Sequence, residues 1–429
     1  MHILVTGANG FIGRALTAAL RARGHSVCAG VRRAPRSLDA RGGLRYVPVD
    51  FLTDVESADW LPRLHGIDAV VNTVGILRER GRATFARLHV EAPVALFTAC
   101  AQAGIARVLQ LSALGADAHA ASDYHRSKRA ADDALLARIP GAVCAQPSLV
   151  YGEGGASARL FTRLASLPLV PLPGAGTQQV QPIHLDDLVA VLCALVERPL
   201  GPGGKIALVG PTPLTLRELL AELRGGLALP PARFVPIPRP LIALAARAGD
   251  VMPGLLLDRA TLGMLERGNT ADPGDTRRLL GHPPRPVFEF IAPDNAAQVR
   301  LRARLGWLLP LLRASVALVW IVTGIVSLGL YPVEQSYALL ARTGATGVIA
   351  TVLLYAAGVL DLLLGVLVFM LHGAARRWLW RAQALLIIGY SVIIALRLPE
   401  FWLHPYGPML KNVPLVAVLV ALDILEDEA

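Results

Sequence analysis

The sequence predicts a doubly wound parallel α/β sheet with a small substrate lobe, followed by an all-α bundle of four transmembrane helices. Three observations predict it. Short apolar runs alternate with helix-like stretches over residues 1–150, a Gly-x-x-Gly-x-x-Gly turn follows the first run directly, and charge almost vanishes after Gly306. Buried parallel strands read as continuous apolar runs because helices cover both faces of their sheet. Right-handed crossovers then wind the chain outward in both directions from the middle.

The runs come in order. His2-Ile3-Leu4-Val5 is the first, and 11–23 after it has helical periodicity. Further runs lie at 25–31, 44–49, 68–74, 107–111 and 142–146, with helix-like stretches such as 94–104 between most of them. After about residue 150 the alternation fades, and turn residues cluster at 168–176 and 199–204. The run 205–209 reads as a further strand and 215–227 as a helix. Thr215 is its cap, because Glu218 follows three residues later as in a capping box. The organisation expected is a dinucleotide-binding core at 1–150, a smaller lobe at 151–296 and a membrane domain at 297–429.

Four spans are expected in the last part, at 307–330, 344–371, 378–397 and 403–424, each about the length that crosses roughly 30 Å of hydrocarbon. Core helices of a soluble domain rarely lack a polar face for so long. Arg300, Arg302, Arg304 and Arg313 precede the first span, and Arg376, Arg377 and Arg381 lie between the second and third. The other two loops carry Arg342, Arg397 and Lys411, offset by Glu334 and Glu400. The positive-inside rule then puts both termini, and the N-terminal domain, on the cytoplasmic side of an inner membrane. Trp378, Trp380 and Trp402 fit an interfacial belt. Asp361 interrupts the second span; a carboxylate at that depth faces the bundle interior, where it handles protons or quinone or pairs with Arg313, Arg397 or Lys411.

Composition narrows the function classes. Residues 306–429 hold seven basic and seven acidic side chains, so the net charge of +10 belongs to 1–305. A basic soluble part beside a membrane is attracted to anionic headgroups. Nucleic acid is not the expected partner, since no basic run is interleaved with aromatics. Cys28, Cys100, Cys144 and Cys193 sit in apolar runs without a CxxC or a His at metal spacing, so they read as small buried residues in a reducing compartment and no metal site is expected. The N-terminus lacks the basic region of a signal peptide.

Thr6-Gly7-Ala8-Asn9-Gly10-Phe11-Ile12-Gly13 stands between a strand and a helix. Gly7 permits the tight turn, Gly10 lets the backbone approach a pyrophosphate, and Gly13 lets helix and strand pack closely. The helix N-terminus adds free N–H groups and positive potential. An NAD site places an acidic residue at the end of the second strand, to hold the ribose 2′-hydroxyl. Here Arg32-Arg33 follows instead, and the first acidic residue after Gly13 is Asp39. Arg32, with Arg33 or Arg14, suits a 2′-phosphate, so NADP is the cofactor expected and NAD the second choice.

Tyr124 and Lys128 are four apart and share a helix face. A lysine ammonium beside a phenol lowers the phenol pKa from about 10 and suits it to proton transfer. Ser112, twelve residues before Tyr124 and just after the fifth run, is placed to hold the substrate oxygen. His184 and Tyr151 are read either as lining the cleft or as packing.

With TGANGFIG, Asp50 in VPVDFLTD, Asn72-Thr73-Val74-Gly75, LSALGA around Ser112, YHRSK and QPSLVYG, the chain over about 1–290 resembles the extended or atypical branch of the short-chain dehydrogenase/reductase superfamily. It is similar to the branch that contains the Rossmann-fold accessory subunit of mitochondrial complex I, whose members bind a nicotinamide cofactor, in some cases without evident turnover. The resemblance implies Tyr124 as acid/base, Ser112 as its helper, Lys128 on the nicotinamide ribose and Asp50 near the adenine. It sets the cofactor against Thr6, Gly7, Asn9, Gly10, Phe11, Ile12, Gly13, Asn72 and Pro147. Many relatives have Arg-Pro-Ser where this chain has Gln146-Pro147-Ser148. VWIVTGIVSLGLYP and PYGPMLKNVPL resemble the DoxX-like membrane domains, which implies membrane redox work. The function expected is a membrane-anchored NADP(H)-dependent oxidoreductase acting on a carbonyl or quinone-like, lipid-soluble substrate. The alternatives are a non-catalytic NADP(H)-binding subunit beside respiratory-complex partners, and an NAD-dependent sugar-nucleotide epimerase or dehydratase.

Overall fold

The computed structural model describes residues 1–33, 43–198, 203–251, 258–405 and 407–426. Asp39, Tyr406, Asp427, Glu428 and the turn at 199–202 lie outside the described residues. The chain divides into two compact units, Met1–Arg300 and Leu301–Ala429.

The first unit is built on seven parallel strands: β1 (His2–Thr6), β2 (Ser26–Val31), β3 (Leu44–Pro48), β4 (Ala69–Asn72), β5 (Arg107–Leu111), β6 (Val143–Pro147) and β7 (Gly204–Leu208). Their order across the sheet is β7-β6-β5-β4-β1-β2-β3. Each of the seven coincides with an apolar run of the sequence. Successive side chains point to opposite faces, so both faces must be covered. Ile3, Val5 and Val71 pack with Leu16 and Leu20 of the helix Phe11–Ala22 and with Leu188 and Leu192 of the helix Leu185–Glu197. Leu4 and Val70 pack on the other face with Leu96 and Phe97 of the helix Ala92–Gln102 and Leu135 of the helix Asp123–Arg138. Each such fully buried side chain contributes about 1.5–3 kcal/mol. The chain leaves this sheet after β6 and returns to it with Leu185–Glu197 and β7.

Between and after those returns a second core forms around Phe161, Leu172, Leu216, Leu219, Leu220 and Phe290. Its helix Leu216–Gly226 opens on the capping box expected from the sequence. Thr215 Oγ1 accepts from Glu218 N at 3.1 Å, and Glu218 Oε2 accepts from Thr215 N at 2.7 Å.

Three helical stretches are long and apolar enough to cross a membrane: Pro293–Leu330, which begins in the first unit and continues into the second, and Gly347–Met370 and Gly373–Arg397 of the second unit. The fourth expected span, 403–424, is not one helix. Leu403 ends a short helix, Pro405, Gly407 and Pro408 follow, and the next helix, Asn412–Leu425, has 14 residues. At about 1.5 Å per residue that is roughly 21 Å, short of the roughly 30 Å of a hydrocarbon core. Small residues let two of the helices approach. A Cβ on Gly324 would lie 2.7 Å from the Gly358 carbonyl oxygen, and one on Gly365 would lie 2.6 Å from Ile321. Arg313 does not pair with Asp361. Arg313 and Arg376 both bond Glu426, at 3.0 and 2.8 Å, while Asp361 is buried with Oδ1 unpartnered among the described residues.

Candidate active site

β1 ends at Thr6 and the chain turns at Gly7, whose φ of +74° favours a residue without a Cβ. Gly7 N and Ala8 N donate to the Gly30 carbonyl of β2, at 3.2 and 3.4 Å, and Gly10 N donates to the Gly7 carbonyl at 2.8 Å. The helix Phe11–Ala22 begins at once. A Cβ on Gly13 would lie 2.2 Å from the Gly7 carbonyl oxygen, so only glycine permits this packing. Gly10 caps the helix without a side chain. The first-turn N–H groups therefore have no intrahelical acceptor and form an anion cradle. The cradle stands where the strand order reverses, between β1 and β4, which is where open α/β sheets take their ligands. These features fit a dinucleotide pyrophosphate.

Beside the loop the strand ends are locked by a buried chain of amides. Thr6 Oγ1 donates to Asn72 Oδ1 at 2.6 Å, and Asn72 Nδ2 donates to Gln110 Oε1 at 2.7 Å. Thr6 and Asn72 thus tie β1, β4 and β5 together. Asn9 is exposed, and its carbonyl accepts from the Arg14 guanidinium at 3.2 Å. Arg32 and Arg33 are exposed directly after β2. Asp50 follows β3, and its carboxylate accepts from Leu52 N at 3.0 Å.

Ser112, Tyr124 and Lys128 line one cavity of about 800 Å³ together with Gly10, Phe11, Ile12, Gly13 and Pro147. Ser112 follows β5 directly. Tyr124 and Lys128 stand on one face of Asp123–Arg138, whose start Ser122 caps by accepting from His125 N at 3.2 Å. Lys128 Nζ donates to the Leu111 carbonyl at 3.0 Å. Burial pushes its ammonium down to about 8, although the Asp132 carboxylate acts the other way. The Tyr124 phenol is not lowered as the spacing with Lys128 predicts. Burial, and then Asp132, push it up to about 12.

Asp132 and His89 escape a reading of the sequence. Asp132 is fully buried and accepts from Ser112 Oγ at 2.6 Å and from Gln146 Nε2 at 3.0 Å. Burial raises its pKa, and those two bonds pull it back. Gln146 thus sets a neutral amide against this carboxylate. The spacing Tyr124, Lys128, Asp132 on one helix face was the available signal. His89 is also fully buried; burial and then Lys128 push its pKa down to about 3. Its Nε2 accepts from Ile76 N at 3.0 Å, so the ring proton sits on Nδ1, 2.8 Å from Ser127 Oγ. Neutral His89 holds the segment after β4 and packs edge-on to the Tyr124 ring at 5.6 Å.

Beyond the Tyr124 end the cavity is walled by Leu160, Phe161, Leu164, Leu220, Met264 and Leu265. Among the described lining residues, Lys128 is the one side chain charged at neutral pH. His184 and Tyr151 pack and do not line it. His184 Nδ1 accepts from Asp186 N at 3.3 Å, and Tyr151 lies 5.0 Å from Phe290 and bonds Thr162 at 2.9 Å.

A glycine cradle at the switch point of a parallel sheet, with Ser112 at a strand end and Tyr124 and Lys128 on the helix beside it, defines an NAD(P)-binding domain of Rossmann type. The profile of the NAD dependent epimerase/dehydratase family matches residues 3–210, and that of the DoxX-like family matches 317–420. An epimerase family protein of Mycobacterium tuberculosis is 30% identical over 289 residues, 62% of this chain and 91% of its own length. The chain belongs to the epimerase/dehydratase family, with a DoxX-like domain after it. It is also 30% identical, over 58% of its length, to the mitochondrial NADH dehydrogenase [ubiquinone] 1 alpha subcomplex subunit 9 of Arabidopsis thaliana. With a ceramide reductase of Caulobacter vibrioides it is 32% identical over 46% of its length. It spans 63% and 61% of the lengths of these two relatives. UDP-glucuronic acid 4-epimerase of Bacillus cereus, solved with UDP-glucuronic acid and NAD, shares the fold at a TM-score of 0.51 and 19% identity, over 70% of this chain and all of that one.

Proposed function

We propose that the chain is a membrane-anchored NADP(H)-dependent oxidoreductase acting on a carbonyl or quinone-like group of a lipophilic molecule. The observation that carries this reading is the apolar wall of the cavity beyond Ser112 and Tyr124. A sugar nucleotide would bring a diphosphate and many hydroxyls into a space where Lys128 is the sole charge. A lipid chain needs no such partners. The ceramide reductase relative is a lipid enzyme by name, which supports the same class of substrate.

When bound, the nicotinamide supplies or takes up a hydride. This chain's residues do the rest. The Phe11–Gly13 backbone N–H groups would hold the pyrophosphate, and Arg32 would hold the 2′-phosphate. Lys128 would bond the nicotinamide ribose. Ser112 positions the substrate oxygen, and Tyr124 moves a proton to or from it. The basic residues Arg313, Arg376 and Arg381, drawn together by Glu426 and Asp423, support a cytoplasmic placement of that end of the bundle.

The test is NADPH oxidation by the full chain in membranes, with long-chain ketone or quinone added or withheld, repeated for Tyr124→Phe. A substrate-dependent rate that the variant loses is expected; equal rates in both proteins would sink the reading. A second reading is a non-catalytic cofactor-binding subunit with respiratory-complex partners. The Arabidopsis relative, by name a subunit of an NADH dehydrogenase, favours it. Bound NADPH that is never oxidised, with co-purifying respiratory subunits, would select it.

A further inference from the structure

We infer that the helix Arg239–Val251 lies in the surface of an anionic bilayer and opens the mouth of the cavity to the lipid, a proposal that rests on the lipophilic substrate class above. Ile242 and Ala246 are buried on its inner side, and Leu241, Ile242 and Ala245 line the cavity. Yet Leu241 is 57% and Leu244 63% exposed, three residues apart and so on one face. Leu241 therefore belongs to the cavity wall and to the outer surface together, which places the mouth of the cavity at this helix.

Charge says what covers that surface. Arg239 and Arg247 flank the two leucines and are exposed, and Arg233 is exposed on the strand before them. The one carboxylate of the helix, Asp250, is taken up by Arg259. A helix with leucines on its outer face, between arginines that have no carboxylate partner among the described residues, is the composition that settles at an anionic interface. A bilayer is available, because the same chain carries three helices long enough to cross one. A lipid substrate then reaches Tyr124 without passing through water.

The cysteines Cys28, Cys100, Cys144 and Cys193 are buried, so a bimane on Leu244→Cys labels the native full chain selectively. Arg45→Cys, exposed on β3, is the control. Both are placed in phosphatidylglycerol-containing nanodiscs. At Leu244 we expect quenching by dibrominated acyl chains and shielding from aqueous iodide; at Arg45 we expect the reverse. Iodide quenching at Leu244 equal to that at Arg45 overturns the proposal. Protection from both quenchers, which marks a protein or a second copy on this face, overturns it too. Leu244→Glu, outside the cavity lining, should cut turnover of a bilayer-dissolved ketone about tenfold while a short water-soluble ketone reacts at the wild-type rate. If both substrates react undiminished, the membrane route fails and the oxidoreductase reading stands. If wild type never oxidises NADPH, that reading fails, and the quenching pattern still decides the position of the helix.

Discussion

Ser112 Oγ donates its proton to Asp132 Oδ2 at 2.6 Å, inside the protein and eight residues along the helix from Tyr124. The carboxylate is held by that bond and by Gln146, and its charge is one of the two things that raise the Tyr124 phenol. In the reducing direction the phenol must be protonated to donate, so the rate falls as pH rises past its pKa. Asp132→Asn removes the charge and lets the phenol ionise sooner. The alkaline limb of kcat/KM for NADPH-dependent reduction should move to lower pH by about one unit. A limb that stays in place would show that the carboxylate acts on structure alone.

Arg32 is exposed directly after β2, whose Gly30 carbonyl accepts from the Gly7 and Ala8 amides of the glycine turn. A guanidinium there meets a 2′-phosphate as a charge-assisted partner. Arg32→Glu should weaken NADPH binding about tenfold to a hundredfold and leave NADH binding nearly unchanged, since charge-assisted bonds contribute roughly 1.5–3 kcal/mol. Nicotinamide fluorescence titration of the full chain in detergent reads both. Equal loss for the two nucleotides would remove Arg32 from the 2′-phosphate.

Lys128 is buried, and its folded-state pKa of about 8 lies below the ordinary value for lysine. Between about pH 8 and about 10.4 the unfolded chain binds this proton and the folded chain does not, so stability from this group rises with pH across that window. Below it the lysine is charged in both states and costs up to about 3 kcal/mol. Lys128→Met should therefore raise the melting temperature of the N-terminal unit at pH 7, and the advantage over wild type should shrink toward pH 10. A variant less stable than wild type at pH 7 contradicts this. Loss of NADPH binding in the same variant would separate the function of the lysine from its cost to the fold.

The glycine turn at the head of a helix, and Tyr124 with Lys128 on one helix face, were legible because each is local. Three glycines after an apolar run, or two side chains on one helix face, are short-range patterns. The seven strands were legible because burial on both faces leaves an unbroken apolar run. The phenol shift was not legible: spacing shows Tyr124 its lysine, but burial and Asp132 are tertiary facts and outweigh it. His89 stands between Arg87 and Glu91 with no local pattern to mark its two bonds, which go to Ile76 and Ser127. The break inside the last expected span was not legible because apolar residues on both sides of Pro405, Gly407 and Pro408 sum to one hydropathy window. The partner of Arg313 was misread because helix-to-helix contacts follow packing, and packing brought Glu426 from 113 residues away.

That last contact carries its own prediction. Glu426 accepts from Arg313 at 3.0 Å and from Arg376 at 2.8 Å, and Arg376 also donates to the Leu371 carbonyl at 2.6 Å. The Glu426 side chain is almost wholly buried, as is that of Arg376. Removing one partner of such a group leaves buried charge uncompensated, which costs about 3–5 kcal/mol. Glu426→Gln should therefore lower the detergent melting temperature of the bundle by several degrees, with two guanidinium groups left on a neutral amide. Arg313→Met in the wild-type background should cost less, because Arg376 still neutralises Glu426. Adding Arg313→Met to Glu426→Gln should recover part of the loss, since it removes one of the stranded cations. If the double variant is as unstable as the sum of the two single ones, the three side chains are not coupled, and the fold at this end of the bundle rests on Trp380 and its apolar neighbours instead.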